Sequence, residues 1–250
     1  MTHDRIHIGG TARSPEEVRI LHGLGLQFAE IPVTKPPEFT PLMSTYRVLM
    51  EELGLYYLCH GPREGDPNDT RALESVYFPK IMALFPIMKT LDVSILTIHL
   101  WLDRRFVKDK VIAFKIGLLK KIIERAEHEE VMVCLENLSE SAGDMERPFV
   151  EIPQLCMTLD LGHAQLLTEE NRSLGFIQSF PERIKHIHMH DNRGGHSYRD
   201  DIHLPPGEGI VDFKGIMQWL KQIGYARTIT LELTPAEIEG CLPRVRDLVK

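Results

Sequence analysis

Residues 94–100, SILTIHL, are followed by KDKVIAFKIGLLKKIIERAEHE at 108–129 and by VMVCLEN at 131–137. The two short runs are apolar and β-prone. The stretch between them repeats its apolar positions every three to four residues, the period of an amphipathic helix. Strand, helix and strand in that order make a crossover unit, which lays the two strands parallel in one sheet.

The same alternation extends in both directions. Further strand candidates are RIHIG near 5–9, LQFAEIP near 26–32, LYYLCHG near 55–61, CMTLDL near 156–161, KHIHMHD near 185–191 and TITLEL near 228–233. Amphipathic stretches such as SPEEVRILHGLG, FTPLMSTYRVLMEELG and TRALESVYFPKIMALFPIMKTLD separate them, several opening on a Ser/Thr-type cap and closing on Gly or a polar break. Eight β-then-α units in 250 residues are what an α/β, single-domain (β/α)8 barrel spanning 1–250 requires. A doubly wound open sheet is the rival. It places fewer strands in this length and often carries a Gly-rich phosphate turn, of which IHIGGTA is a fragment.

Composition narrows the class. With 43% hydrophobic and 26% charged residues the chain reads as globular. No apolar run approaches the roughly 18 residues of a membrane span, and MTHDRIHIGG lacks the pattern of a signal peptide, so a cytoplasmic protein is expected. Cys59, Cys134, Cys156 and Cys241 form no CxxC pair and read as core residues in a reducing compartment. The net charge of −7 disfavours nucleic acid without barring it. Twelve histidines, several beside carboxylates, point instead to metal.

Barrel enzymes build their sites at the carboxyl ends of the strands. Those ends carry His60 in CHGP, His99 in TIHL, Glu136 in CLENLSE, Asp160 and His163 in LDLGHA, and Glu232 in TLELT. The loop after the seventh strand adds Asp201 and His203 in DDIHLPPGEG. So many carboxylates on one rim would repel one another unless cations compensated them. Imidazole with carboxylate suits zinc, manganese or iron. In the seventh strand His186, His188 and His190 alternate, so all three share one face. Glu30, at the end of FAEIP, can reach the pocket or pair with a basic neighbour. Trp101 is a candidate for stacking on a sugar ring, and Arg193 for holding substrate oxygens or phosphate.

This ordered set resembles the xylose isomerase-like TIM-barrel superfamily, and within it the sugar phosphate isomerase/epimerase and endonuclease IV (AP endonuclease family 2) group, from about residue 5 to 235. The resemblance implies a central divalent metal on Glu136, Asp160, His188 and Glu232. In endonuclease-like members it implies two more: one on His60, His99 and a bridging Glu136, the other on His163, Asp201 and His203. One to three zinc or manganese ions per chain are thus implied. His186 is then a buried hydrogen-bonded neighbour, and His190 contacts substrate or supports a ligand. Many ketose epimerases have an Arg in the region of Asp201–His203, where this chain departs from them. It departs from endonuclease IV where the ENTAG-like segment reads ENLSES and where no DNA-bending loops are recognisable.

Two chemistries fit. The first is isomerisation or epimerisation of a small sugar or sugar phosphate through a metal-stabilised enediolate, with Glu136 and Glu232 as the acid/base pair. The alternative is multi-metal phosphoester hydrolysis, which Asp201 and His203 favour. A metal-containing barrel that binds a ligand without turnover is a lesser alternative, and an exposed helix face leaves an oligomer open.

Overall fold

The computed structural model describes residues 5–250. Its eight strands are β1 (His7–Thr11), β2 (Phe28–Pro32), β3 (Tyr56–His60), β4 (Ile95–Ile98), β5 (Met132–Glu136), β6 (Cys156–Asp160), β7 (Ile184–Met189) and β8 (Thr228–Leu231). Each pairs in parallel with the next, and β8 returns to β1 with Ile8 opposite Ile229, so the sheet closes into a barrel. Helices return the chain outside it. The helix Pro15–Gly23 starts on the Ser14 hydroxyl, which accepts the Glu17 amide, with Pro15 in the first turn. The last helix, Pro235–Leu248, starts on a capping box of Thr234 and Glu237. No helix of the described residues is long and apolar enough to cross a membrane.

Strand alternation sorts the side chains into two cores. Outward residues such as Ile31, Cys59, Leu96, Leu135, Met157, Ile187 and Leu231 join the large cluster between barrel and helices. Inward residues Phe28, Leu58, Ile95, Cys134 and Cys156 form a separate apolar cluster at the amino ends of the strands, the barrel floor. Above this floor lies a polar layer, in which Thr97 and Thr158 share a hydroxyl hydrogen bond of 2.8 Å. The inward residues at the carboxyl ends are His60, Glu136, Asp160 and His188, with His99 and Glu232 one residue beyond β4 and β8. All four cysteines are buried and unpaired.

Two elements differ from the sequence reading. The first strand lies at His7–Thr11 rather than near 5–9, and Gly9 and Gly10 are inside it instead of opening a phosphate turn. Both are there because backbone and neighbour approach closely. A Cβ on Gly9 would overlap the Phe28 ring, and one on Gly10 would come within 2.6 Å of Ile238 Cδ1. The amphipathic stretch beginning at Thr70 is not one helix. A π-helical turn, Leu73–Tyr77, precedes Phe78–Met82, and Pro79 has no amide to continue the ladder. The turn leaves the buried Tyr77 hydroxyl donating to the His99 carbonyl at 2.6 Å.

The tight packing at β1 gives a direct test. Gly9→Val should destabilise the protein by about 1–3 kcal/mol through overpacking against Phe28. The shift would appear in the midpoint of urea unfolding at unchanged slope.

Candidate metal centre at the barrel mouth

Glu136 ends β5 with its side chain fully buried. Four imidazoles surround it: Oε2 lies 2.9 Å from His99 Nε2, 3.2 Å from His60 Nε2 and 3.3 Å from His188 Nδ1, and Oε1 lies 3.0 Å from His163 Nδ1. His188 Nδ1 also faces Glu232 Oε1 at 3.2 Å and Asp160 Oδ2 at 3.8 Å. Asp201 sits between His163 Nε2 at 3.3 Å and His203 Nε2 at 3.1 Å. The residues expected to bind metal therefore converge. Among the described residues five groups have their ligand atoms within 4.8 Å of one another, and three of them are the expected sets: His60, His99 and Glu136; Glu136, Asp160, His188 and Glu232; and His163, Asp201 and His203, the last joined by His190. The other two are Glu30, His186 and His188, and His60, His188 and Glu232.

Hydrogen bonding on the far side of each ring fixes what the near side presents. His60 Nδ1 meets the Gly61 carbonyl at 2.9 Å and His203 Nδ1 the Glu232 carbonyl at 3.1 Å, whereas His163 Nδ1 lies between the Asn137 carbonyl at 3.1 Å and Glu136 Oε1 at 3.0 Å. A carbonyl only accepts, so in His60 and His203 Nδ1 carries the proton and the neutral ring turns a lone pair on Nε2 inward. His188 is the reverse case: Nε2–H donates to Glu30 Oε2 at 3.0 Å, leaving Nδ1 to face the three carboxylates. Glu136 Oε1, Asp160 Oδ2, Asp201 Oδ1 and His188 Nδ1 are buried with no hydrogen-bond partner. Unpartnered carboxylate oxygens and an unpartnered ring nitrogen gathered in one buried place are the donor arrangement a divalent cation completes. The residues fit the metal that the resemblance implies.

Without cations, protons take their place. Burial pulls His188 down, but Glu232, Glu30 and Glu136 drive it well above its ordinary value. Burial pushes Glu136 up, but His99 and His188 hold it well below the carboxylate range. Burial likewise opposes the charge on Asp160, yet His163 and His190 bring it down to about 2. His203 is lowered by burial and raised by Asp201 and Glu232, to about 9.

The remaining candidates divide. His186 is buried and bonded to Thr228 Oγ1 at 2.7 Å and to Glu30 Oε2 at 3.3 Å. Glu30 therefore both borders the cavity and orients two histidines. His190 is fully buried, 3.1 Å from Asp160 Oδ1 and stacked on the His203 ring at 3.8 Å. Arg193 is exposed and does not line the cup at the mouth. The cations that do line it, Arg13 and Arg63, follow β1 and β3 and carry no motif in the sequence. Trp101 is placed in the wall of a neighbouring cavity. Two polar anchors lie inside the ENLSE and HMHDN motifs, which gave them no role of their own. Asn137 clamps Asp160 through both of its main-chain groups at 2.9 Å. Asp191, fully buried, accepts the amides of Asn192 and Val211 on Oδ1 and of Gly207 and Gly209 on Oδ2. It thereby ties down the loop that carries His203, whose φ is +44°.

Two outcomes are expected. Asp191→Ala should weaken the His163–Asp201–His203 set by about 10- to 100-fold, so that a metal titration loses one site while the central four-donor set keeps its affinity. In the cation-free protein, His203 titrates above its unfolded value of 6.5, so its stabilising contribution is complete below pH 6.5 and is lost as pH rises through about 9. Thermal midpoints of chelator-treated protein should fall across that window, and those of metal-loaded protein should not.

Residues 18–244 match the family model described as xylose isomerase-like TIM barrel. Among curated proteins, the uncharacterized protein MJ1311 of Methanocaldococcus jannaschii is 32% identical over 123 residues, 46% of this chain and 41% of that protein. MJ1614 of the same organism is 29% identical over 98 residues, 39% of this chain and 36% of that protein. The chain thus spans well under half the length of these two relatives. Solved structures with the same fold include a D-tagatose 3-epimerase-like protein, at TM-score 0.79 and 20% identity over 97% of this chain and 98% of that one. The D-psicose 3-epimerase of Clostridium cellulolyticum H10 gives 0.78 and 14% over 98% and 99%. The IolI protein with a binding zinc atom gives 0.80 and 14% over 97% and 98%. With its closed eight-stranded barrel and a family match over nearly its whole length, the chain belongs to the xylose isomerase-like TIM-barrel family.

Proposed function

We propose that the chain is a divalent-cation enzyme acting on a small carbohydrate-type substrate, and that its reaction is hydrolysis of a phosphoester. The surroundings of Glu136 carry this reading. A carboxylate enclosed by four imidazoles and fully buried is suited to bridging cations and poorly placed to take a proton from a sugar carbon. The third donor set, His163, Asp201 and His203, has no role in a one-cation isomerase.

Cations on the three donor sets, zinc or manganese by donor chemistry, would supply Lewis-acid polarisation of phosphoryl oxygens and a water of lowered pKa. The chain's own residues supply the rest. Arg13 and Arg63 reach the cup from two sides, where guanidinium forks match phosphate oxygens. Thr11 and Thr34 line the same cup and offer hydroxyls to a sugar. Glu232, with 14% of its side chain exposed against none for Glu136, is the carboxylate placed to accept a proton from water in the cup. The zinc in the IolI structure and the sugar epimerases among the similar folds support a metal and a carbohydrate respectively.

A second reading is favoured by one observation. Glu136 and Glu232 lie 3.3 and 3.2 Å from the same His188 nitrogen, so the two carboxylates are close to each other where both line the cup. A sugar held there would exchange a proton between adjacent carbons through the enediolate, giving isomerisation or epimerisation.

Metal-loaded protein should release phosphate from a panel of sugar phosphates, and Glu232→Gln, which keeps an oxygen donor but removes the base, should lower that rate by about 100- to 10,000-fold when compared at equal metal content. Solvent deuterium entering the sugar without phosphate release would replace the first reading with the second. Tight ligand binding with neither signal would leave a non-catalytic barrel.

A further inference from the structure

Beside the cup, which encloses about 210 Å³, lies a second cavity of about 530 Å³. Arg63, His99 and His163 line both, so the two adjoin at the candidate metal centre. Their chemistry differs sharply. The second chamber has His99, His163 and Asp201 on its side toward the candidate metal centre and adds to them an apolar wall that includes Trp101, Leu138 and Leu167. The apolar part of that wall offers no ligand to a cation and no hydrogen bond to a small polyol.

Its walls are also held rigidly. Leu167 adopts φ +55°, a conformation that costs a leucine roughly 1 kcal/mol or more and a glycine almost nothing. Its amide donates to the Gly195 carbonyl at 2.9 Å, and its own carbonyl accepts from Arg105 at 2.8 Å and Arg172 at 3.2 Å. A strained non-glycine residue fixed at every main-chain group points to a use for its side chain, and that side chain faces the chamber. Trp101 is fixed as fully. Its amide donates to Glu64 Oε1 at 2.7 Å, its carbonyl accepts from Lys115 Nζ at 2.7 Å, and its indole N–H donates to Ser139 Oγ at 2.8 Å. Lys115 is wholly buried and pairs with Glu64 at 2.7 Å, a desolvated ion pair whose partners both anchor this one residue. The indole stacks on Phe106 with centroids 4.9 Å apart.

We propose that this chamber is a second subsite for an apolar, ring-sized arm of the substrate, so that the enzyme takes a two-part molecule with its polar head over the cations and an uncharged aryl group against Trp101 and Leu167. The stacked aromatic wall favours a planar ring, and the volume falls within the range of small-molecule pockets. The inference rests on the cation-centred reading above for the head group. The arm is independent of it.

The test uses metal-loaded protein and two non-hydrolysable probes, methylphosphonate and phenylphosphonate, followed by calorimetry. Phenylphosphonate should bind at least 10-fold more tightly and quench Trp101 fluorescence, a signal lost in Trp101→Phe. Leu167→Gly retains the left-handed backbone, so it should fold. It should abolish the phenyl advantage while leaving methylphosphonate affinity unchanged. Equal affinities in the wild type, or an advantage that survives Leu167→Gly, would overturn the proposal. If neither phosphonate binds, the cation-centred reading fails and benzyl alcohol decides the chamber. Quenching of Trp101 in the wild type but not in Leu167→Gly sustains the subsite, and no quenching removes it.

Discussion

Everything at the barrel mouth is arranged around one buried carboxylate. Glu136 has no exposed surface, yet four imidazole nitrogens from β3, β4, β6 and β7 regions lie 2.9 to 3.3 Å from its two oxygens. A charge removed from water at that depth needs compensation on every side. Protons on the histidines can supply it, as the raised His188 and His163 indicate. They do so incompletely, because the ring N–H of His60 is directed at the Gly61 carbonyl behind it and that of His163 lies between Glu136 and the Asn137 carbonyl. The lone-pair geometry is set from outside the centre, and it faces inward whether or not anything binds.

The outer anchors therefore matter as much as the donors. Glu30 turns His188, Asn137 holds Asp160, Tyr77 holds the main chain of His99, and Asp191 gathers the loop bearing His203. Each spends hydrogen bonds on orientation in a layer already short of water. The apolar floor of Phe28, Leu58, Ile95, Cys134 and Cys156 lies below, so the polar layers have no solvent on that side. Pinned between that floor and the cup, the donors cannot relax away from one another.

What the sequence made legible was periodic or terminal. Alternation in KHIHMHD places His186, His188 and His190 on one face, and the structure keeps all three buried inside. The donors sit at strand ends, where chain order alone predicts a common rim. The glycines of β1 were opaque, because their necessity comes from Phe28 and Ile238, which reach them from other elements. Arg13 and Arg63 were opaque for a similar reason: a lone basic residue in a loop has no period and no partner in the sequence to mark it. Asp191 was visible only as the end of a His-rich run, since the amides it gathers at 207, 209 and 211 are brought to it by the loop.

The chamber beside the centre extends this point. Its walls come from the loops after β3, β4, β5, β6 and β7, and none of their leucines differs in sequence from a core leucine. What distinguishes them is cost. A leucine at φ +55° and a lysine with no exposed side chain are each unfavourable alone. Glycine at 167 would remove the first penalty, and an apolar residue at 115 with a matching change at Glu64 would remove the second. Both costs converge on two side chains that wall one cavity, and that cavity shares His99 and His163 with the candidate metal centre. Strain at one such site could be incidental, but two independent penalties directed at the same wall are what a built subsite requires.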